Sequence, residues 1–486
     1  MKIKPKIFAM AGAEEGFSVI AAKGAYWNVG FAIANKIVTL IGQVALAWLL
    51  SPADMGVAGM AMAMAGFTAF LSAGGLSDVL VQRDRYEKEA GQALWLSITM
   101  YFFMALFIAV LAPVSIWTGR GELAGLLLII ALSNLISGVD PVLSARLKSR
   151  LDFKNLATSQ LLQGITYTGF ALIFAWAGFG PYSLVLPAIL RVLVGTGFEY
   201  WLVGLPPLVR PNLVPIKKLF KPMAALALTG FFIGLQTQAP VFCAGLVLNP
   251  TGTGHFAWGW AVASQAVFLL AVNLRQVLMP IFVKIGENHE RQMAAVLKSA
   301  RVMTAALTLV CGLQALLAEP LLNTFFPAKW QPAGPVITWI SLGLVLQGVW
   351  VSVSSWLNAM GRYRDLLWIS VVPGVSTGLL AYLGANIRGA EGAAIGSAIG
   401  ALLGSGFSFS QIAWKNFRSQ GKQFLLPFLA VAIVWVTCHL LIIKTNGLVS
   451  QGMLSIVFLI AGGSIWWYSD NEVFKKLLFK KDNNGN

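Results

Sequence analysis

GAYWNVGFAIANKIVTLIGQVALAWLLSPADMG, residues 24–56, decides the fold. Residues 25–50 are apolar and long enough to cross a bilayer, whose hydrocarbon core takes about 20 residues of helix. Within that run stand Asn28, Asn35, Lys36, Thr39 and Gln43. Asn28 and Asn35 are seven residues apart, as are Lys36 and Gln43, close to two helical turns, so the polar groups gather on one face. A lysine this far into a span costs about 2.5–3.5 kcal/mol on insertion scales, and is tolerated where it meets a wet cavity or a partner. The other reading, that Lys36 snorkels to the interface along its four-carbon stem, stays open. The run ends in Ser51-Pro52-Ala53-Asp54-Met55-Gly56, a tight turn with Asp54 as the expected N-cap, and a second apolar helix follows to Arg83. The result is a membrane hairpin with a polar stripe on its first arm.

Composition extends this reading to the whole chain. Of 486 residues, 57% are hydrophobic and 11% charged, which describes an all-α polytopic membrane protein. The net charge of +16 does not imply nucleic acid, because basic residues collect in the cytoplasmic loops of membrane proteins. Cys243, Cys311 and Cys438 lie singly in apolar segments and read as small core residues. Residues 1–23 read as a cytoplasmic lead-in rather than a cleaved signal, since the apolar patch at 7–13 is short and runs into Glu14-Glu15.

Hydropathy and turn residues give about 14 transmembrane helices: 25–49, 54–80, 91–117, 122–143, 156–178, 181–204, 219–248, 255–283, 294–318, 333–359, 365–386, 390–413, 424–443 and 449–468. With the N-terminus inside, 28 of the 35 Lys and Arg residues fall on the inner side. Only Arg120, Lys329, Arg388 and Lys444 fall outside, an asymmetry that puts both termini in the cytoplasm. Lys36, Arg191 and Arg275 remain, all within spans.

Three echoes link span n to span n+6. Leu50–Gly56 repeats as Leu248–Gly254, Leu143-Ser144-Ala145 as Leu357-Asn358-Ala359, and Gly195-Thr196-Gly197-Phe198 as Gly404-Ser405-Gly406-Phe407. A six-span shift preserves orientation, so the halves are parallel repeats. The expected organisation is two pseudo-symmetric six-helix lobes, 24–204 and 219–414, joined by a cytoplasmic linker 205–218 and facing each other across a cleft. Helices 13 and 14 (424–468) and a basic tail (469–486) follow. In span twelve Gly392, Gly396, Gly400 and Gly404 recur every four residues, a smooth face for close helix packing or for a moving surface between lobes. Trp330, Trp339, Trp466, Trp467 and Tyr468 sit at span ends, where aromatic residues anchor at the interface.

No catalytic grouping, metal-ligand spacing or phosphate-binding Gly-Lys-Ser/Thr loop occurs, so neither an enzyme nor a cofactor or metal site is expected. The candidate substrate-binding residues are the cations Lys36, Arg191 and Arg275, with the amides Asn35, Gln43, Gln236, Gln238 and Gln265 at membrane depth. A cationic cavity ringed by amides suits an anionic, hydroxyl-rich ligand such as a phosphate joined to a sugar. The alternative is that the arginines are structural braces paired with Asp78, Asp140 or Glu199.

The stretch from Gly24 to Gly56, together with Leu143-Ser144-Ala145-Arg146-Leu147 and Leu151-Asp152-Phe153-Lys154, resembles the Wzx-type flippases, the oligosaccharide and exopolysaccharide exporters of the MATE-related MOP superfamily. The resemblance runs from Gly24 to about Asn416. It implies a transporter that flips a polyprenyl-diphosphate-linked oligosaccharide, an O-antigen or exopolysaccharide repeat unit, from the inner to the outer leaflet of a bacterial inner membrane by alternating access. It also implies the membrane lipid, a polysaccharide polymerase and chain-length machinery as partners. Two rivals remain. A MATE-like exporter of cationic small molecules would want acids deep in the cleft. A membrane polysaccharide polymerase or ligase would want a large outer loop, and the longest here is about residues 319–331.

Overall fold

The computed structural model describes residues 17–72, 76–82, 86–207, 209–210, 213–285, 289–413, 417–444 and 448–469. Residues 1–16 of the lead-in, the basic tail beyond Ser469, and the side chains of Asn28, Asp78 and Arg275 lie outside that description. The described chain is helical throughout, with no strand among the described residues.

The first six spans are α1 (Phe17–Leu49), α2 (Pro52–Ser72) continued by α3 (Leu76–Gln82), α4 (Tyr86–Trp117), α5 (Glu122–Ile136) continued by α6 (Asp140–Ser149), α7 (Phe153–Trp176) and α8 (Leu186–Val203). The next six are α9 (Leu213–Val247), α10 (Pro250–Ile285), α11 (His289–Phe325), α12 (Ala333–Leu344) continued by α13 (Gln347–Ala359), and the two arms of α14 (Tyr363–Ala413); α15 (Phe417–Lys444) and α16 (Leu448–Ser469) close the chain. These are the fourteen expected spans. Among the described residues, eight helices are long and apolar enough to cross a membrane by length and composition alone, and α12 with α13, bent by 44°, makes a ninth. α14 holds spans eleven and twelve, because Arg388 (φ −135°, ψ 26°) and Gly389 (φ +61°, ψ −139°) leave the helix between them. Glycine is needed there, since positive φ puts a Cβ against the following carbonyl. α1 starts at Phe17, so the last residues of the expected lead-in are already helical.

The repeat is visible in backbone geometry. Ser51 is the N-cap of α2: its Oγ accepts from Asp54 N at 3.1 Å, while Asp54 Oδ2 accepts from Ser51 Oγ at 2.6 Å and from Ser51 N at 3.1 Å. Asp54 is therefore not the N-cap but the third helical residue, closing a capping box, since Pro52, lacking an N–H, takes the first helical position. The echo is built alike: Asn249 caps α10 through Gly252 N (2.7 Å) and Pro250 opens the helix. A second pair of turns also matches. After α6, Leu151 takes φ +56° and Asp152 N donates to Leu147 O (3.0 Å); after α13, Gly361 takes φ +68° and Arg362 N donates to Leu357 O (2.9 Å). These are two copies of one left-handed helix terminator. They pair Leu147, not Leu143, with Leu357, one helical turn later than the sequence echo, because the terminator fixes the alignment and side-chain identity does not.

By its packing the chain forms two compact units, Met1–Gly234 and Leu235–Asn486, dividing inside α9. In the first, α1 packs chiefly on α7, α4 on α5, and α7 on α8. The chain after α8 runs back over α4, where Gln92 Nε2 donates to Arg210 O and Trp95 Nε1 to Val209 O, each at 2.8 Å. A Cβ on Gly91 would lie 2.6 Å from Pro207 O, so only glycine admits this strap. In the second unit α12 packs on α14 and α11, while α15 and α16 lean on α11 through a core of Ala305, Leu316, Val431, Cys438, Phe458 and Trp466.

The glycines of span twelve pack against span eleven, the other arm of α14. A Cβ would lie 2.1 Å from Gly384 O at Gly392, 1.9 Å from Leu380 O at Gly396, 2.6 Å from Thr377 Cα at Gly400 and 2.3 Å from Pro373 Cβ at Gly404. Their partner belongs to the same hairpin, which makes the stripe a packing face. Two expected interface anchors are instead core residues. Trp330 is fully buried, 4.7 Å from the Trp258 ring, and Trp466 is buried beneath α15. A span end buried by neighbouring turns cannot be told from an exposed one by its position in the chain.

Candidate functional site

The polar stripe of α1 divides into two lines. Asn35 and Gly42 meet α7: Asn35 Oδ1 fills the place a Cβ would take on Gly164, and Thr168 fills the corresponding place at Gly42. Lys36 and Gln43, about 100° further round the helix, are half-buried on the flank of this seam. The opposite face, with Ile33, Ile37, Ile41, Val44 and Trp48, is exposed as a lipid-facing surface should be. Thr39 turns inward on its own helix, its Oγ1 donating to Asn35 O at 2.8 Å. Lys36 has no ion-pair or hydrogen-bond partner among the described residues.

A second polar line crosses α7 to α8. Gln163 Nε2 donates to Ser159 Oγ (3.3 Å), and Ser159 Oγ donates to Glu199 Oε1 (2.8 Å). Gly195, one turn before Glu199, makes room for the Gln163 amide, which would stand 2.3 Å from a Cβ there. Glu199 is 2% exposed, and its Oε2 has no hydrogen-bond partner among the described residues. Asp140 opens α6 at the break in span four, where Ser137–Val139 form a tighter turn and Pro141 follows. It lies within electrostatic reach of Arg191, Lys148 and Glu199. The Arg191 side chain is exposed, near both Asp140 and Tyr167. At the far end of α6, Lys148 Nζ donates to Ser77 Oγ (2.8 Å), and Arg146 donates to Val203 O with its guanidinium 5.8 Å from the Tyr86 ring centroid.

The predicted site residues thus fall into separate places. Asn35, Lys36 and Gln43 lie on α1 and Arg191 on α8, two helices that share α7 as a packing partner. Gln236 (buried) and Gln238 (half-buried) lie on α9; Gln265, half-buried, shares α10 with Arg275. Ser159, Gln163 and Gly164 escaped the reading of the sequence, and Gly195 entered it only as part of a repeat echo, although an amide beside a glycine in mid-span was the available signal.

The fold is that of a multi-pass membrane protein, and solved membrane proteins share it: a lipid II flippase, MurJ, in an inward closed conformation aligns at TM-score 0.69 with 13% identity, covering 91% of this chain and 98% of that one. An inward-facing multidrug-resistance MATE transporter aligns at TM-score 0.62 with 16% identity, covering 80% and 96%. Residues 45–335 match the family model described as polysaccharide biosynthesis protein, and the chain belongs to that family. Among curated relatives, the succinoglycan biosynthesis transport protein ExoT of Rhizobium meliloti is 25% identical over 472 residues, 92% of each chain. An uncharacterized membrane protein in the cps region of Klebsiella pneumoniae is 22% identical over 446 residues, 87% of this chain and 90% of its own. The Wzx-type resemblance read from Gly24–Gly56 and Leu143–Lys154 agrees with these matches.

Proposed function

We propose that this protein flips a polyprenyl-diphosphate-linked oligosaccharide from the inner to the outer leaflet of a bacterial inner membrane by alternating access, with both termini cytoplasmic. Lys36 carries the reading. A half-buried cation in an apolar helix, with no carboxylate partner among the described residues, suits an anionic ligand. A diphosphate supplies that anion, and the neighbouring amides Asn35 and Gln43 suit the hydroxyls of a sugar. Arg191 and Arg275 are assigned to the same ligand, as are Gln236, Gln238 and Gln265. The near full-length likeness to a succinoglycan transport protein supports a glycan as cargo. A polysaccharide polymerase and chain-length machinery are its proposed partners.

The test is the leaflet distribution of lipid-linked oligosaccharide in a deletion strain. The expected result is accumulation on the cytoplasmic leaflet, reversed by the wild-type gene and not by a Lys36→Leu variant present at normal abundance. An unchanged distribution in the deletion strain would refute the proposal.

A further inference from the structure

We propose that an interlock between α1 and α7, built by Gly42 with Thr168 and by Asn35 with Gly164, is the positioning device that aims Lys36. The inference rests on the reading of Lys36 as the cation that meets the anion, and it names the residues that fix that cation's heading. α1 packs chiefly on α7, and few of residues Gly30–Leu49 are buried, so the rotation of α1 about its own axis is set along one seam.

The seam holds two notches of opposite sense. At one, α7 supplies the hole: a Cβ on Gly164 would lie 1.8 Å from Asn35 Oδ1 and 2.8 Å from its Cγ. At the other, α1 supplies the hole: a Cβ on Gly42 would lie 2.3 Å from Thr168 Cγ2. Asn35 and Gly42 are seven residues apart, close to two turns, and Gly164 and Thr168 are four apart, about one turn, so each pair stands on one face of its helix. Glycine is disfavoured in a helix interior. In lipid, however, helices associate by close packing rather than by the hydrophobic effect, and small residues are what let them approach. Asn35 Oδ1 is buried with no hydrogen-bond donor among the described residues. It faces the Gly164 Cα–H instead, a weak contact that recurs where helices meet closely. The oxygen is thus committed to the seam, and only Nδ2 of this amide is left for a ligand. Lys36 and Gln43 each follow a seam residue by one position, about 100° round the helix. Turning α1 by that amount would set Lys36 over Gly164 and put the Gln43 side chain where Thr168 now enters the Gly42 notch. The interlock forbids that turn. It holds Lys36 half-buried on the flank, with Ile37, Ile41 and Val44 on the exposed face.

The experiment reads rotation and transport separately, on the full-length protein with its three cysteines replaced by alanine. Nitroxide labels placed singly at Ile37, Val38, Leu40, Ile41, Val44 and Ala45 in lipid nanodiscs give an oxygen-accessibility profile whose phase reports which face of α1 meets lipid. The parent should peak at Ile37, Leu40, Ile41 and Val44 and dip at Val38 and Ala45. Gly42→Ala should shift that phase and, at matched abundance, lose export as read by the leaflet distribution of lipid-linked oligosaccharide. Thr168 branches at Cβ and has few rotamers to retreat to. Adding Thr168→Ser removes Cγ2 and leaves Cβ and Oγ1 at 3.5 Å from the new methyl, an ordinary contact, so phase and export should both return. Should Gly42→Ala not fold, Gly164→Ala gives the same two readings, since its Cβ meets only the end of the Asn35 side chain. An unmoved phase overturns the interlock. A shifted phase with normal export overturns the positioning role, and Lys36→Leu then tells which reading failed. If Lys36→Leu has lost export, the positioning role alone falls; if it exports normally, the function proposed for Lys36 falls with it.

Discussion

Gly396→Ala tests the backbone-to-backbone packing between the two arms of α14. The new Cβ would start 1.9 Å from Leu380 O, and real Cβ contacts essentially never fall under 3.0 Å, so the hairpin must open by about 1.1 Å there. Both partners are backbone, with no flexible side chain to swing aside. Overpacking of this kind costs typically 1–3 kcal/mol and occasionally more, and the opening strains the neighbouring contacts at Gly392 and Gly400 as well. Gly406→Ala is the matched control: it lies two residues beyond the stripe, is exposed, and its Cβ would meet nothing within 4 Å. In a helix that change gains up to about 1 kcal/mol in propensity. The assay is the thermal midpoint of purified protein in detergent, with folded yield from the membrane as a second readout. Gly396→Ala should melt well below the wild type and Gly406→Ala at or slightly above it. Equal midpoints would show that the two arms of α14 do not touch as described. Normal stability with lost transport would return the stripe to the role of a moving surface.

Three further outcomes follow from particular residues. Ser51→Ala and Asn249→Ala each remove the cap of an equivalent helix and should each cost about 1 kcal/mol of stability; a loss at one site only would weaken the equivalence of the two turns. Arg191→Lys keeps the charge but loses the planar fork, so partial export is expected, whereas Arg191→Ala should insert normally and lose export. If the alanine variant instead disappears from the membrane, Arg191 is a brace for Asp140, and removing it strands a charge at a cost of about 3–5 kcal/mol. Cysteine labelling from outside should reach substitutions at Arg120, Lys329, Arg388 and Lys444 and not at Arg150, Lys218 or Lys422; labelling at Lys422 from outside would break the fourteen-span topology.

The fold was legible because bilayer length, turn residues and basic asymmetry act on the sequence independently of tertiary detail. Even the break between spans eleven and twelve at Arg388-Gly389 could be placed from hydropathy. The site was legible only as a set of residue types. That Asn35 seats on Gly164 while Lys36, its neighbour, does not depends on which side of α1 meets α7, and periodicity fixes a face without naming its partner. The Glu199–Ser159–Gln163 line joins residues up to 40 apart in the chain, and no local pattern announces it. Leu151 marks a similar limit. It holds a left-handed conformation that Gly361 takes in the other half, so a search for glycine finds one terminator and passes over its twin.

Span four breaks between Ile136 and Asp140, and span ten between Leu344 and Gln347. Each interruption frees carbonyls from the helical ladder at membrane depth, which is stable only where hydrocarbon is kept away. Both breaks occupy the same rank in their halves, some 208 residues apart, close to the spacing of the two left-handed terminators. A break of the same rank in both halves makes them alike in their irregularities as well as in their spans, and six crossings return the chain to the side it started from, so the second half enters the membrane in the same sense with no inserted helix.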